Sequence, residues 1–297
     1  MDAAICVDSR CSLGEGIIWD AHNRRVLWTD IDSSVIWSYT PGTGDVRRWK
    51  VPDRVGMLAS CSRGNVLIGM TKGLYVVDLD AASDEHLAVT KLVDVEPDCR
   101  DTRINDGRSD RDGNIVFGTM NESPGHPATG HFYQYSSANG LRRLDVGPAA
   151  IPNSICFSRD GRTIWFCDSL DRTIRCGNYD PADATITGIE IFARLAPDEG
   201  LPDGSIVDAD GYVWNAAWAG GVVRRYDPDG RIERVVRIPT KHPTCPAFGG
   251  PDCSILYVTS SRNEHTEDEL AGSPQAGGLF SVAIPGIRGV VDTPFAL

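Results

Sequence analysis

One phrase recurs in this chain in a fixed register. Ile104-Asn105-Asp106-Gly107, Ile151-Pro152-Asn153-Ser154 and Leu201-Pro202-Asp203-Gly204 each set an apolar residue ahead of an oxygen-bearing polar side chain. Asn105 stands seven residues before Asp112 of Asp112-Gly113, Asn153 seven before Asp160 of Asp160-Gly161, and Asp203 seven before Asp210 of Asp210-Gly211. An alternating strand, an Asp-Gly turn and a returning strand fill such an interval, and this is the strongest short-range signal of a hairpin. Asn105, Asn153 and Asp203 therefore open equivalent strands. Hairpins repeated at roughly 40 to 50 residues suggest propeller blades, whose innermost strands start at a central channel. Glu15 joins the set by a looser alignment, twelve residues before Leu27 as Asn105 is twelve before Phe117. Four oxygen-bearing side chains from four blades then face one axis.

The repeat also decides how many domains the length allows. A chain of 297 residues could be two domains, but propellers of this size commonly form one. The expectation is an all-β chain, a single domain over 1–297, with six blades of four antiparallel strands. Its 31 glycines suit many tight turns. With 29 Lys and Arg against 41 Asp and Glu the formal charge is −12, and no basic cluster offers a phosphate-binding face, so nucleic acid is excluded as a partner. No apolar run reaches the roughly 18 residues of a membrane span. Met1 to Arg10 carries Asp2 and Asp8 and no apolar core of a signal peptide, which points to the cytoplasm. The nine cysteines, at 6, 11, 61, 99, 156, 167, 176, 245 and 253, form no C-x-x-C pair. They read as small core residues, not as a disulfide framework or a zinc ribbon.

Taken in order, the blades run from about 17–51, 57–95, 105–146, 153–195, 203–238 and 244–293, and the orphan strand at 3–7 completes the last one. The second blade has Gly56 and Met57 at the phrase position and so offers no ligand there. Two connections between second and third strands are long, Asn121 to Gly130 and Arg262 to Gly278. In a four-stranded blade that connection lies on the same face as the start of the first strand, so both loops can reach the site. Asp-x-Asp-Gly at 110–113, 208–211 and 227–230 invites an EF-hand reading, but the loop's first position would be Arg108, Ile206 or Arg225. None is a carboxylate, and these are read as turns.

Glu15, Asn153 and Asp203 together offer two carboxylates and an amide oxygen. Such hard donors, with two negative charges, suit Ca²⁺, Mg²⁺ or Mn²⁺, with water in the remaining positions. The alternative, that Asn153 and Asp203 merely cap strand starts and Glu15 is a solvated loop residue, explains each residue alone but not their common register.

The residues also carry a resemblance. Leu13-Gly14-Glu15-Gly16 followed by Trp19, Arg103-Ile104-Asn105-Asp106-Gly107, Gly118-Thr119-Met120, Pro152-Asn153, Pro202-Asp203-Gly204 and Phe248-Gly249-Gly250-Pro251 resemble the gluconolactonase, regucalcin and senescence-marker family, from about residue 11 to 285. The resemblance implies a six-bladed propeller that hydrolyses sugar lactones with one divalent metal ion, whether calcium, manganese, magnesium, zinc or ferrous iron. It implies that Glu15, Asn153 and Asp203 are metal ligands and that Arg103 and Asn105 bind substrate. Family members closest to regucalcin place two acidic residues after Gly-Thr-Met-Ala and use the second for substrate. Here the order is Gly118-Thr119-Met120-Asn121-Glu122-Ser123, which leaves either Glu122 or Ser123 at that position.

The expected reaction is attack of water on a lactone carbonyl polarised by the metal, with Asp203 as general base. Arg103 would place its fork on ring or hydroxyl oxygens, the alternative being a surface salt bridge, and Asn105 would hydrogen-bond a hydroxyl or a water. The partner is then a small sugar lactone, and the chain is expected to be a monomer or a weak oligomer. Other catalytic kits are missing: no H-E-x-x-H, G-x-S-x-G or P-loop occurs, and the histidines at 22, 86, 126, 131, 242 and 265 show no ligand spacing. Two rivals stand beside the lactonase reading. One is a non-catalytic propeller that binds calcium or a partner protein; the other is a metal-dependent hydrolase of aryl esters or organophosphates.

Overall fold

The structure, a computed structural model, describes residues 1–81 and 87–297, so that His86 lies outside the described residues. A short strand β1 (Ala4–Val7) precedes the first blade, β2 (Gly14–Asp20), β3 (Arg25–Asp30), β4 (Val35–Thr40) and β5 (Asp45–Lys50). The second blade is β6 (Val55–Ser60), β7 (Val66–Met70), β8 (Gly73–Val77) and β9 (Val89–Asp94), and the third is β10 (Thr102–Ser109), β11 (Ile115–Asn121), β12 (Phe132–Ser136) and β13 (Gly140–Arg143). The fourth comprises β14 (Pro152–Phe157), β15 (Thr163–Asp168), β16 (Thr173–Asp180) and β17 (Thr185–Arg194). The fifth comprises β18 (Leu201–Val207), β19 (Val213–Trp218), β20 (Val222–Tyr226) and β21 (Ile232–Arg237). In the sixth, β22 (Pro243–Gly249), β23 (Ile255–Ser260) and β24 (Leu279–Ala283) are joined by β1, which pairs with β24 as the outermost strand.

Each blade is thus a four-stranded antiparallel sheet, and the six sheets form the ring of a six-bladed β-propeller, as the recurring phrase suggested. Packing explains why the ring holds. Among the described residues the buried apolar side chains fall into six clusters, one at each interface between neighbouring blades. Trp214 of blade 5 meets Phe248 of blade 6 edge to face at 5.5 Å, and Phe132 of blade 3 meets Phe166 of blade 4 at 5.3 Å. No blade buries its faces without its neighbours, so closure and stability are one event.

The Asp-x-Asp-Gly segments are turns, and their hydrogen bonds show why. Asp110, Asp208 and Asp227 each accept backbone N–H bonds from residues two and four further on, at 2.8 to 3.0 Å, and Gly113, Gly211 and Gly230 take the positive φ that closes the turn. These turns lie at the end of the propeller opposite the starts of the innermost strands.

Candidate active site

The inner strands β2, β6, β10, β14, β18 and β22 share a defect that the repeated phrase encodes. Each loses register with its neighbour by one residue near its start, between Glu15 and Ile18, Val55 and Met57, Ile104 and Gly107, Asn153 and Cys156, Pro202 and Ser205, and Pro243 and Pro246. A bulge of this kind kinks the strand and re-aims side chains. Gly16 and Ser154, which follow Glu15 and Asn153, take left-handed φ values of 57° and 61°. Asn105 and Asp203 lie inside the bulge, whereas Glu15 and Asn153 sit at the last paired position before it, facing Thr29 and Cys167. The common register read from the sequence is therefore shifted by one residue between these two pairs.

Strand periodicity then builds the pocket. Residues two apart share a face, and Leu13 with Glu15, Arg103 with Asn105, Ile151 with Asn153, and Leu201 with Asp203 all line one cavity of about 260 Å³. Three of the four outer positions are aliphatic and one is the guanidinium of Arg103. Two entry loops are fixed in the same manner. The Asp30 carboxylate accepts the N–H groups of Ser12 and Leu13 at 3.1 and 3.0 Å, and Asp168 accepts those of Ala150 and Ile151 at 2.7 and 3.1 Å.

Neighbouring blades are tied at the level of the site. Ser154 Oγ donates to the carbonyl of Asp203 at 2.6 Å, and Asn215 Nδ2 donates to the same carbonyl at 2.9 Å. Asn153 spends its Nδ2 on Ser169 Oγ at 3.0 Å, and Ser169 in turn donates to Pro202 O at 2.8 Å. That bond turns Nδ2 towards Ser169 and leaves the carbonyl oxygen and one N–H of Asn153 without a partner among the described residues. Arg103 is 6% exposed, so it is no surface residue. Its Nη1 donates to Asn105 Oδ1 at 2.9 Å and to Ile104 O at 3.0 Å, and Asn105 Nδ2 donates to Pro152 O at 3.0 Å.

The electrostatics are those of a site short of positive charge. Burial raises the pKa of Asp203 well above the usual carboxylate range, and the charges of Glu15 and Asp106 add to the rise. Glu15 is pushed up to about 8, by burial first and by Asp106 second, against which the Gly16 N–H and the Arg103 charge act. Among the described residues neither Glu15 nor Asp203 forms an ion pair. A doubly charged cation fits this donor set, because two crowded carboxylates and a free amide oxygen are hard ligands whose repulsion it would relieve. No group of three or more His, Cys, Asp and Glu side chains among the described residues is arranged to hold a metal; the set at issue has two carboxylates, and its third member is an amide.

Two expected residues and several unexpected ones complete the geometry. Glu122 and Ser123 do not line the cavity. Both Glu122 oxygens are held by Arg54, at 2.6 Å each, and Oε1 also accepts from Arg103 Nε at 3.1 Å; the Ser123 N–H donates to Asn121 Oδ1. Asp106 went unnoticed in the sequence because the phrase drew attention to Asn105. It is 8% exposed, takes N–H bonds from Gly107 and Ile155, and adds its charge beneath the pair. The mouth is built by His126, Ser169, Leu170, Trp218, Asn263 and Glu264, which lie on connections between second and third strands except Trp218, the last residue of β19 and the start of one such connection. The rule applied to the two long loops would have found Leu170 and Trp218 had it been applied to the short ones. His242 and His265, remote in sequence, meet with their Nδ1 atoms 3.1 Å apart, and His242 stacks on Trp218 at 4.4 Å.

A six-bladed propeller with one buried and one half-buried carboxylate, an amide oxygen and a guanidinium at one mouth of its channel defines a class of small-molecule site. The chain belongs to the SMP-30/gluconolactonase/LRE-like family, whose pattern matches residues 13–262. It is 41% identical to L-arabinolactonase of Azospirillum brasilense, over 94% of this chain and 90% of that one. It is 32% identical to the pentonolactonase XacC of Haloferax volcanii, over 94% and 93%. Among solved structures, a calcium-binding protein, regucalcin, from Agrobacterium tumefaciens superposes with a TM-score of 0.92 at 31% identity, covering 100% of this chain and 98% of that one.

Proposed function

We propose that this chain hydrolyses a sugar lactone to the sugar acid, that the substrate is a five-carbon aldonolactone, and that one divalent cation is held by Glu15, Asn153 and Asp203. The observation that carries the reading is the convergence of those three side chains with Arg103 and Asn105 in one 260 Å³ cavity. The pentose preference is supported by the two lactonases named above, and calcium as the cation by the regucalcin likeness. The chemistry that a bound cation supplies is polarisation of the lactone carbonyl and offset of the charge developing on its oxygen.

The chain's own residues supply the rest. Arg103 has Nε and Nη1 engaged within the protein, which leaves Nη2 to hold ring or hydroxyl oxygens. Asn105 is oriented by Arg103 and Pro152, so its remaining N–H and lone pair have a defined direction. Leu13, Ile151, Leu170, Leu201 and Trp218 face the apolar edge of the sugar ring and thin out bulk water. Asp203 takes a proton from the attacking water as the new C–O bond forms, then returns it to the ring oxygen as the ester bond breaks, giving a hydroxy acid. A base so placed contributes roughly 10² to 10⁴ in rate. A cytoplasmic site of action suits the nine cysteines, all of them free.

Acid release in weak buffer, followed for pentono-lactones, hexono-lactones and an aryl acetate, tests the substrate class. A pentono-lactone is expected to give the highest kcat/KM. Faster turnover of the aryl acetate would assign the site to aryl esters instead.

A further inference from the structure

The mouth of the channel holds a second arginine that the reading above does not use. The residue two before the phrase position lines the cavity in four blades, as Leu13, Arg103, Ile151 and Leu201 ahead of Glu15, Asn105, Asn153 and Asp203, and the same sequence position holds Arg54 ahead of Gly56 in blade 2 and His242 ahead of Thr244 in blade 6. Arg54 therefore stands in blade 2 where Arg103 stands in blade 3. It does not line the cavity. Its Nη1 and Nη2 grip both oxygens of Glu122, each at 2.6 Å, and Glu122 Oε1 is shared with Arg103 Nε at 3.1 Å. The series then runs inward through Arg103 Nη1 to Asn105 Oδ1 and through Asn105 Nδ2 to Pro152 O, beside Asn153.

Each link in this series has one function that the geometry permits. Arg103 is buried, which lowers its pKa against the raising charge of Glu122, so it needs a carboxylate close by to remain in place as a cation. Glu122 is one third exposed, with side-chain exposure of 32%, as is Arg54, and a carboxylate on a loop has several rotamers to choose from. The two-pronged grip of Arg54 removes that choice, because a guanidinium fork matches both carboxylate oxygens at once. Its direction, across from blade 2, sets where Oε1 meets Arg103.

We propose that Arg54 is a positioning residue for substrate binding: acting through Glu122, it aims Arg103 and, through it, Asn105 into the pocket, and Glu122 serves as the bridge and not as a substrate contact. This rests on the lactonase reading and on the assignment of Arg103 to substrate within it. The loss of Arg54 then loosens substrate without touching the carboxylates that carry the chemistry. Its signature is a raised KM with little change in kcat, since binding and not the chemical step is weakened.

The test is steady-state kinetics on a pentono-lactone, with isothermal titration of the lactone's sugar acid as a second readout, for wild type, Arg54→Ala, Arg54→Lys, Glu122→Gln and Arg54→Ala with Glu122→Gln. Arg54→Ala is expected to raise KM and the dissociation constant of the acid roughly five- to tenfold with kcat within about twofold, in line with a charge-assisted pair of partial exposure. Arg54→Lys is expected to recover only part of the loss, because an ammonium cannot hold both oxygens. The double variant is expected to be no worse than the poorer single one, as for two members of one series. Multiplied losses in the double variant would make Glu122 an independent substrate contact and overturn the bridge. An unchanged KM and acid affinity in Arg54→Ala, or a fall in kcat at constant KM with a lower melting temperature, would overturn the positioning role. Wild-type chain that binds the acid but turns over no lactone would overturn the lactonase reading alone, since the affinity ratios still report on Arg54.

Discussion

Asn153 shows how a neighbour orients a single amide: the bond from Nδ2 to Ser169 fixes which way the side chain lies, and its carbonyl oxygen is free to meet a cation. Residues of this kind were legible in the sequence because they sit in a repeated phrase. Glu15, Asn105, Asn153 and Asp203 were found by register, and Arg103 by resemblance. His126 lies in the 121–130 loop expected to reach the site, though nothing singled it out within that loop, and Trp218, the last residue of β19, had no signal of its own. The histidine pair behind Trp218 had no signal at all, because His242 and His265 approach each other only through the fold. That pair carries a consequence for pH. Burial and the charge of His265 push the pKa of His242 from the ordinary 6.5 down to about 4, with Lys241 in the same direction and the Asn263 backbone and Glu269 opposing. The unfolded chain takes up a proton near pH 6.5 while the folded one does not until about pH 4, so this contribution to stability is full above pH 6.5 and is lost as pH falls through that window. Melting temperatures between pH 7 and 4 are expected to fall less steeply in His242→Phe than in wild type. Equal slopes would show that His242 is protonated in the folded chain as readily as in the unfolded one.

The inner strand is the element in which sequence and site are joined, and its bulge is the reason. Alternation and Asp-Gly turns gave away the strands, but the bulge left no mark except the apolar-polar phrase itself, so the alignment of Glu15 with Asn105 came out one residue off. Blade 2 explains its own lack of a ligand. A Cβ at Gly56 would stand 2.5 Å from Ile104 O and 2.6 Å from Asn105 O, so only a glycine lets β10 approach closely enough to deliver Asn105. The bulge glycine of blade 1 obeys a second constraint: Gly16 holds φ at 57°, where a side chain costs roughly 1–2 kcal/mol. Gly56→Ala should therefore displace β10, lower stability by about 1–3 kcal/mol as overpacking does, and raise KM by disturbing Asn105 and Arg103. Denaturant unfolding together with KM checks this; a variant with wild-type stability and KM would show that β10 is not held by that approach.

The whole molecule is a ring whose two termini are both tied into it. The first strand completes blade 6, and the Ala3 N–H also reaches Arg237 O of blade 5. The last residues cross the end of the channel remote from the site: Gly289 bridges to Asp208, Asp292 pairs with Arg108 at 2.5 Å, and Phe295 is fully buried in the core between blades 2 and 3. No helix among the described residues is long and apolar enough to cross a membrane. This closed frame holds side chains from blades 1, 3, 4 and 5 around one cavity, and the blade count was legible because the repeat is long-range and regular. The crossing of the C-terminal segment was not, because residues 284–297 belong to no repeat. The proposal that Glu15, Asn153 and Asp203 hold a divalent cation, with Asp203 as the base in hydrolysis of a sugar lactone, belongs to this frame. Its most direct test is acid release from a pentono-lactone by wild type and Asp203→Asn, each assayed after chelator treatment and again after a divalent cation is restored. Wild type should lose turnover in chelator and regain it with the cation, while Asp203→Asn, folded as wild type, stays roughly 10² to 10⁴ below wild type when the cation is restored; equal wild-type rates with and without chelator, or full activity in Asp203→Asn, would contradict it.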